Sequence, residues 1–382
     1  MTNGDRIEKR AVPMDLEMEN YYIASVMLTE SIGCMRAKQL LDHFGSGEAT
    51  WKAGIEELEA TNLYPSILNS LINFRQSHPN CPEQLAEFCY NKKIKICSIK
   101  DFNYPERLKS IKDAPVLLYY KGVLESNNEK IAIVGTRQPT HYGLQIAEEW
   151  AEEIASTGVD IVSGAAYGID MAAHKGAIKA GRTIAILGEG LEAVWPNDKK
   201  KFLEQIIENG AVVSEYSPNA HSSKGTFPQR NRIISGMSVG IVVVESDVDG
   251  GAMNTASHAA KQGRLTFVVP GSINWRKSRG CHELVRDGAI LARSVNDVLK
   301  DCELNMETSL QKKKVIGLPP LEGNEEAVLK LIPMDTSITS EDIAMKLDDI
   351  EFSEISMILI NLETKGYINE ESFGSYVRTY GH

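Results

Sequence analysis

IAIVGTRQPTHYGLQIAEEWAEEIASTGVDIVSGAAYGIDMAAHKGAIKAGRTIAILG, residues 131–188, holds three short apolar runs separated by longer amphipathic stretches. The runs IAIVG (131–135), VDIVSG (159–164) and TIAILG (183–188) are continuous rather than alternating. That pattern marks strands buried on both faces. Between the first two, LQIAEEWAEEIAS has the spacing of an amphipathic helix. The rhythm continues through AVVSE (211–215), VGIVVVE (239–245), LTFVVPG (265–271) and AILA (289–292), with AMNTASHAAKQG as a further helix. Alternation of this length predicts right-handed βαβ crossovers, hence an α/β fold with a doubly wound, mostly parallel sheet.

The flanks read differently. Residues 1–80 are helical by pattern, through YYIASVMLTE, AKQLLDHF, GIEELEA and PSILNSLINFR. The turn Ser31-Ile32-Gly33-Cys34-Met35-Arg36-Ala37 resembles a helix-hairpin-helix or SAM-like element, which can present amides to phosphate; a small bundle used for protein contacts fits equally. Residues 81–128 read as a connector carrying the strands KIKICSI and APVLLYYKG, residues 129–301 as the core, and residues 302–321 as a linker. Residues 322–382 predict three helices and a hairpin, a winged-helix-like unit, with Ser340 and Ser353 as candidate N-caps. Ile355, Ile358, Leu359 and Leu362 share one face of its third helix.

The chain of 382 residues carries a net charge of −11, which at first argues against a polyanionic partner. The distribution reverses this. Residues 301–382 hold 16 acidic and 7 basic residues, so the rest of the chain is close to neutral. No acid lies between Tyr216 and Val244, where the charges are Lys224, Arg230 and Arg232. None lies between Gly250 and His282, which hold Lys261, Arg264, Arg276, Lys277 and Arg279. Local potential, not the whole-chain sum, decides where a polyanion docks. There is no apolar run of membrane-spanning length and no apolar leader at the N-terminus, and the six scattered cysteines form no C-x-x-C pair. A cytoplasmic protein with no membrane association, no metal and no cofactor is expected.

In doubly wound sheets the loops at the carboxyl ends of the strands decide function. The first, Gly135-Thr136-Arg137-Gln138-Pro139-Thr140, is not G-x-G-x-x-G, and the second strand ends in Ser163-Gly164 where a dinucleotide enzyme places an acid. The loop predicts instead an anion site of amides at a helix N-terminus, with Arg137 either at a phosphate or in a structural ion pair. In the second loop Asp170 and His174 share a helix face; a metal or acid–base pair is weighed against an acid that complements the helix dipole. The third segment, Phe227-Pro228-Gln229-Arg230-Asn231-Arg232, suits sugar–phosphate contacts, although positions i and i+2 do not share a helix face. Glu245 ends a strand beside the site and reads as a partner of an arginine or of amides. Trp275, among Arg276, Lys277 and Arg279, either stacks a base or packs.

In this order VGTRQPTHYG, SGAAYGIDMAAHKGA, GRTIAILGEGLEAVWP, FPQRNRIISGMS, VVVES…GGAMNTA, QGRLTFVVPG and SRGCHELVRDGA resemble the DprA (Smf) DNA-processing family over about 170 residues. The resemblance implies an extended Rossmann-like core and a non-enzymatic, single-stranded DNA-binding recombination mediator. Such a protein dimerises, protects incoming DNA and helps load a RecA-type recombinase in natural transformation. It further implies phosphate-contacting positions at Arg137, Ser163, Gly164, Lys175, Arg230, Asn231, Arg232 and Thr255, to which the acid-free stretch adds Lys224. The chain departs from the family pattern at Ala165, Tyr167, Glu189, Trp195, Gly250, Ala252, Asn254 and His282.

Two other classes compete. A nucleotide phosphoribohydrolase resembling the LOG and lysine-decarboxylase-like group requires a P-G-G-x-G-T-x-x-E loop; the turn at 249–255 lacks it, and position 258 is His. A nucleotide sensor or protein adaptor draws support from the acidic C-terminal unit, whose third helix carries Glu354, Glu363 and only Lys365.

Overall fold

The computed structural model describes residues 18–124, 128–194, 197–304, 321–333, 336–347, 349–372 and 374–378. Twelve strands occur among them: β1 (Lys95–Ser98), β2 (Leu117–Gly122), β3 (Lys130–Val134), β4 (Asp160–Ser163), β5 (Thr183–Leu187), β6 (Gly210–Ser214), β7 (Gly240–Val243), β8 (Leu265–Val268), β9 (Ile290–Leu291), β10 (Ile338–Thr339), β11 (Ile368–Ser372) and β12 (Ser375–Arg378). The first nine form one sheet in the order β1-β2-β6-β5-β4-β3-β7-β8-β9. From β6 to β9 every pairing is parallel, while β2 runs antiparallel to β6 and to β1.

The seven apolar runs of the core thus form the seven parallel strands. The stretch expected as a connector does more: it extends the sheet by two antiparallel strands, with β1 at the edge. Its apolar run explains why. Leu118 and Tyr120 pack into the cluster on one face of the sheet, and Leu117 and Tyr119 into the cluster on the other. A strand buried on both sides needs neighbours for its backbone groups.

Helices cover both faces. His141–Ser156 and Ile169–Ala180 lie over Ile131, Ile133 and Ile161. Thr226–Met237 and Gly251–Lys261 cover Ala132, Val134 and Ile241 from the opposite side. The chain winds outward from β3 through β4, β5 and β6, then returns to place β7 on the other side of β3. The carboxyl ends of β3 and β7 therefore define the switch point, where open α/β sheets hold ligands.

The N-terminal helices build a small core of their own from Val26, Ile32, Leu40, Leu58 and Leu71. Their first helix, Met18–Leu28, also sets Tyr21, Ile23 and Ala24 against the large sheet. The C-terminal unit runs helix, β10, two helices, β11 and β12, with a three-stranded sheet in the order β10-β12-β11. Ile355, Ile358, Leu359 and Leu362 are all buried, as their spacing predicts. The caps differ from expectation: Thr339 accepts from Asp342 N, so Ser340 is already inside its helix, and Phe352–Thr364 starts one residue before Ser353. Most of the expected linker, residues 305–320, and Trp195-Pro196 lie outside the described residues.

Candidate nucleic-acid interface

Strand β3 delivers Gly135 to Thr140 to the switch point, and β7 delivers Glu245 opposite. The expected open anion site at the N-terminus of His141–Ser156 is not free. The Glu245 carboxylate accepts from Thr140 N at 2.9 Å and from Thr140 Oγ1 at 2.5 Å, and Thr140 Oγ1 accepts from Gly143 N at 3.1 Å. Gly143 is required here, since a Cβ would meet the Glu245 carboxylate at 2.6 Å. The fixed carboxylate satisfies the amide donors and the dipole that a phosphate would otherwise use.

Arg137 points away from this seal. It is exposed, has no ion pair among the described residues, and places its guanidinium over the Phe227 ring, 5.5 Å from the centroid. Such stacking holds a cation while leaving its N–H groups to solvent or ligand.

Arg230, one turn along the helix from Phe227, is only 4% exposed. Its Nη1 donates to Gly164 O at 2.6 Å and to Ile186 O, and its Nε donates to Asn231 Oδ1 at 3.2 Å. Arg230 thus ties the carboxyl ends of β4 and β5 to the helix Thr226–Met237. Gly164 makes this possible, because a Cβ would sit 2.6 Å from the guanidinium. Burial lowers the Arg230 pKa to about 10, with Asp170 opposing the shift and Arg137 adding to it. Even so, the group stays cationic near neutral pH.

Asp170 organises the second loop. Its Oδ2 accepts from Gly164 N at 3.1 Å and Ala166 N at 3.3 Å. Burial pushes its carboxyl up, against the pull of Arg230 and these donors. The Ser163 hydroxyl donates to Ile133 O at 2.6 Å, so it serves the sheet. His174 is fully buried with Nδ1 2.6 Å from Thr183 Oγ1, whose own proton goes to Ile161 O at 2.9 Å. That network assigns the proton to Nδ1 and leaves Nε2 without a partner among the described residues. Burial, then the Arg230 charge, push the imidazole down to about 3. A base of that strength stays neutral, and no group of three His, Cys, Asp or Glu among the described residues is arranged to hold a metal.

Arg232 does not join Arg230. It forms a bidentate pair with Glu215 at 3.0 and 2.6 Å and lies 3.3 Å from Asp113. The two-residue offset turns it to the other side of the helix, where carboxylates take it before any phosphate can. Asn231 Nδ2 donates to Asn254 Oδ1 at 3.1 Å, and Thr255, the next residue on the same helix, is buried. Lys175 and Lys224 are exposed and without ion pairs among the described residues. Beside the first loop, Lys277 donates to Gln138 O, Arg276 pairs with Asp247, and Trp275 is half-buried. Phe227 escaped the sequence reading as a site residue: it stood in a quoted motif, but nothing in spacing places a ring beneath Arg137.

The sequence matches the model of the family described as DNA recombination-mediator protein A over residues 95–303, more than half of the chain. Protein Smf of Synechocystis is 33% identical over 329 residues, 84% of this chain and 78% of that protein. The X-ray structure of DNA processing protein A from Streptococcus pneumoniae superposes with a TM-score of 0.65 at 32% identity, covering 74% of this chain and 97% of that one. DNA processing protein A from Helicobacter pylori, solved for its single-stranded DNA binding mode, gives a TM-score of 0.50 at 32% identity over 55% of this chain and 97% of its own. With the sheet, the switch-point loops and these matches in agreement, the chain belongs to the DNA recombination-mediator protein A family, the family of DprA and Smf.

Proposed function

We propose that the chain binds single-stranded DNA at the carboxyl edge of its large sheet, as a mediator of recombination that makes and breaks no covalent bond. The observation that carries this is Arg137: a guanidinium with no ion pair among the described residues, held on an aromatic face at the switch point, with the helix N-terminus behind it sealed by Glu245. The seal removes the site a dinucleotide pyrophosphate would use, while the exposed cations Arg137, Lys175 and Lys224 remain for a strand's phosphates. Gly164, Ser163, Arg230 and Asn231 form the floor and hold its shape; Arg232 and Thr255 support it from behind. A neutral, enclosed His174 and an Asp170 committed to amides supply no general base, which favours binding over catalysis. The names of its relatives, recombination mediator and DNA processing protein, support the coarser role. Protection of incoming DNA, loading of a RecA-type recombinase, a homodimer and a cytoplasmic place are the parts of the proposal drawn from the family resemblance of the sequence. These are read by filament assembly on a coated strand and by a light-scattering mass of two chains.

Titration of a labelled oligo(dT) with salt tests the reading. Three phosphate contacts predict a log–log slope of about −2, and Arg137→Ala should flatten it by roughly 0.7. A flat profile for the intact chain, or an unchanged slope in the variant, refutes the assignment.

The C-terminal unit contributes little to this binding. Its third helix leaves Phe352, Met357 and Ile360 exposed among Glu351, Glu354 and Glu363. That surface is apolar and acidic, suited to protein and repelled by phosphates. A chain ending at about residue 315 is expected to bind oligo(dT) within about threefold of the full chain, because the cations counted above all remain. A larger loss would place the C-terminal unit on the strand.

A further inference from the structure

A cavity of about 840 Å³ opens between the N-terminal helices and the carboxyl end of β6. One wall is apolar: Met27, Leu28, Ile32, Met35 and Tyr119. The other carries Tyr216, Gln229 and Asn254. Two carboxylates, Asp113 and Glu215, and two guanidiniums, Arg36 and Arg232, also line it, so their charges cancel. His258, whose pKa burial holds below its usual value, adds no full charge near neutral pH. The volume falls within the range of small-ligand pockets.

The chemistry selects the ligand. Facing carboxylates disfavour a phosphate, and the apolar wall disfavours any ion. Glu215 is already taken on both oxygens by Arg232. Asp113 is half exposed and touches Arg232 only at 3.3 Å, so it has acceptor positions to spare. Beside it, the amides of Gln229 and Asn254 supply donors and acceptors. A flat, uncharged group with an amine on its edge satisfies all of these.

The cavity also adjoins the interface. Asn254 lines it and accepts from Asn231, the neighbour of Arg230. The helix Thr226–Met237 stands between the two, Arg230 on the crevice side and Arg232 on the cavity side. We propose that this cavity receives an unstacked nucleobase bearing an exocyclic amine, from the strand whose phosphates lie along Arg137 and Lys224. It rests on the strand-binding reading above and adds a base-selective contact to it.

Oligo(dC) and oligo(dT) test this on the full chain, since both are weakly stacked pyrimidines and only cytosine carries the amine. Oligo(dC) should bind about tenfold more tightly, the scale of one hydrogen bond to a charged acceptor. Asp113→Asn, which lets thymine pair equally well, and Met35→Trp, which fills the mouth from a position 61% exposed, should each erase that preference while leaving the salt slope unchanged. Equal affinities in the unaltered chain, or a preference that survives both substitutions, with a steep salt slope intact, overturn the pocket alone. Absence of salt-dependent binding overturns the strand reading and the pocket with it. Free deoxycytidine is expected not to raise the melting temperature; a rise would assign the cavity to a free nucleoside instead of the strand.

Discussion

Arg232→Ala should lower the unfolding free energy by about 3 kcal/mol, the cost of stranding a largely buried carboxylate. Glu215 is 11% exposed and depends on Arg232 for both of its oxygens, whereas Asp113, more than half exposed, can turn to water. Urea denaturation near neutral pH measures the loss. The double variant Arg232→Ala, Glu215→Ala should regain part of it, because neither charge is then left alone. The salt slope of strand binding should not change in the folded single variant. A stability loss under about 1 kcal/mol would mean that the pair is solvated, and a flattened slope would return Arg232 to the phosphates.

The second large effect is one of pH. In the unfolded chain the His174 imidazole takes a proton near its ordinary value of 6.5; in the fold it stays neutral down to about 3. The unfolded state therefore binds more protons throughout that window. Stability is complete above it and falls as pH falls, by up to about 1.4 kcal/mol per unit. Asp170 acts in the opposite sense, since a carboxyl raised by burial gains its proton earlier in the fold than in the unfolded chain. Comparison with His174→Asn, which keeps a donor toward Thr183, removes that contribution. Between about pH 7 and about pH 5 the unaltered chain should lose about 2 kcal/mol more than the variant. Parallel curves would show that His174 is protonated in the fold and that a counter-charge or water reaches Nε2.

The exposed aromatic–cation pair of Arg137 and Phe227 and the buried clamp of Arg230 divide the work of one site. The first keeps an exposed guanidinium over an aromatic face. The second is buried, with Nη1 donating to Gly164 O and Ile186 O and Nε donating to Asn231 Oδ1. Substitutions at the two positions should therefore fail differently, Arg137 in affinity and Arg230 in stability.

The parallel strands could be anticipated from alternation, and the loops of the site from their place after each strand; the order of the strands in the sheet could not. Glu245 was legible as a partner of amides. Thr140 was not, since an N-cap threonine and a phosphate-binding threonine look alike in a sequence. The strands β1 and β2 were read within a connector because they are antiparallel and lie outside the βα alternation of the parallel series.

The sequence by itself determined the doubly wound sheet, because continuous β-branched runs can be buried on two faces only between neighbouring strands and covering helices. It also determined the family, through ordered loops that each end such a strand. Only the tertiary structure decided which charges are available. Two arginines two residues apart carry the same charge on paper, yet packing turned Arg230 onto strand carbonyls and Arg232 onto carboxylates. Arg137 has neither among the described residues and lies over the Phe227 ring. The reason is physical: a side chain's direction and its competing partners come from elements distant in sequence, and Coulombic and hydrogen-bond energies depend on those distances.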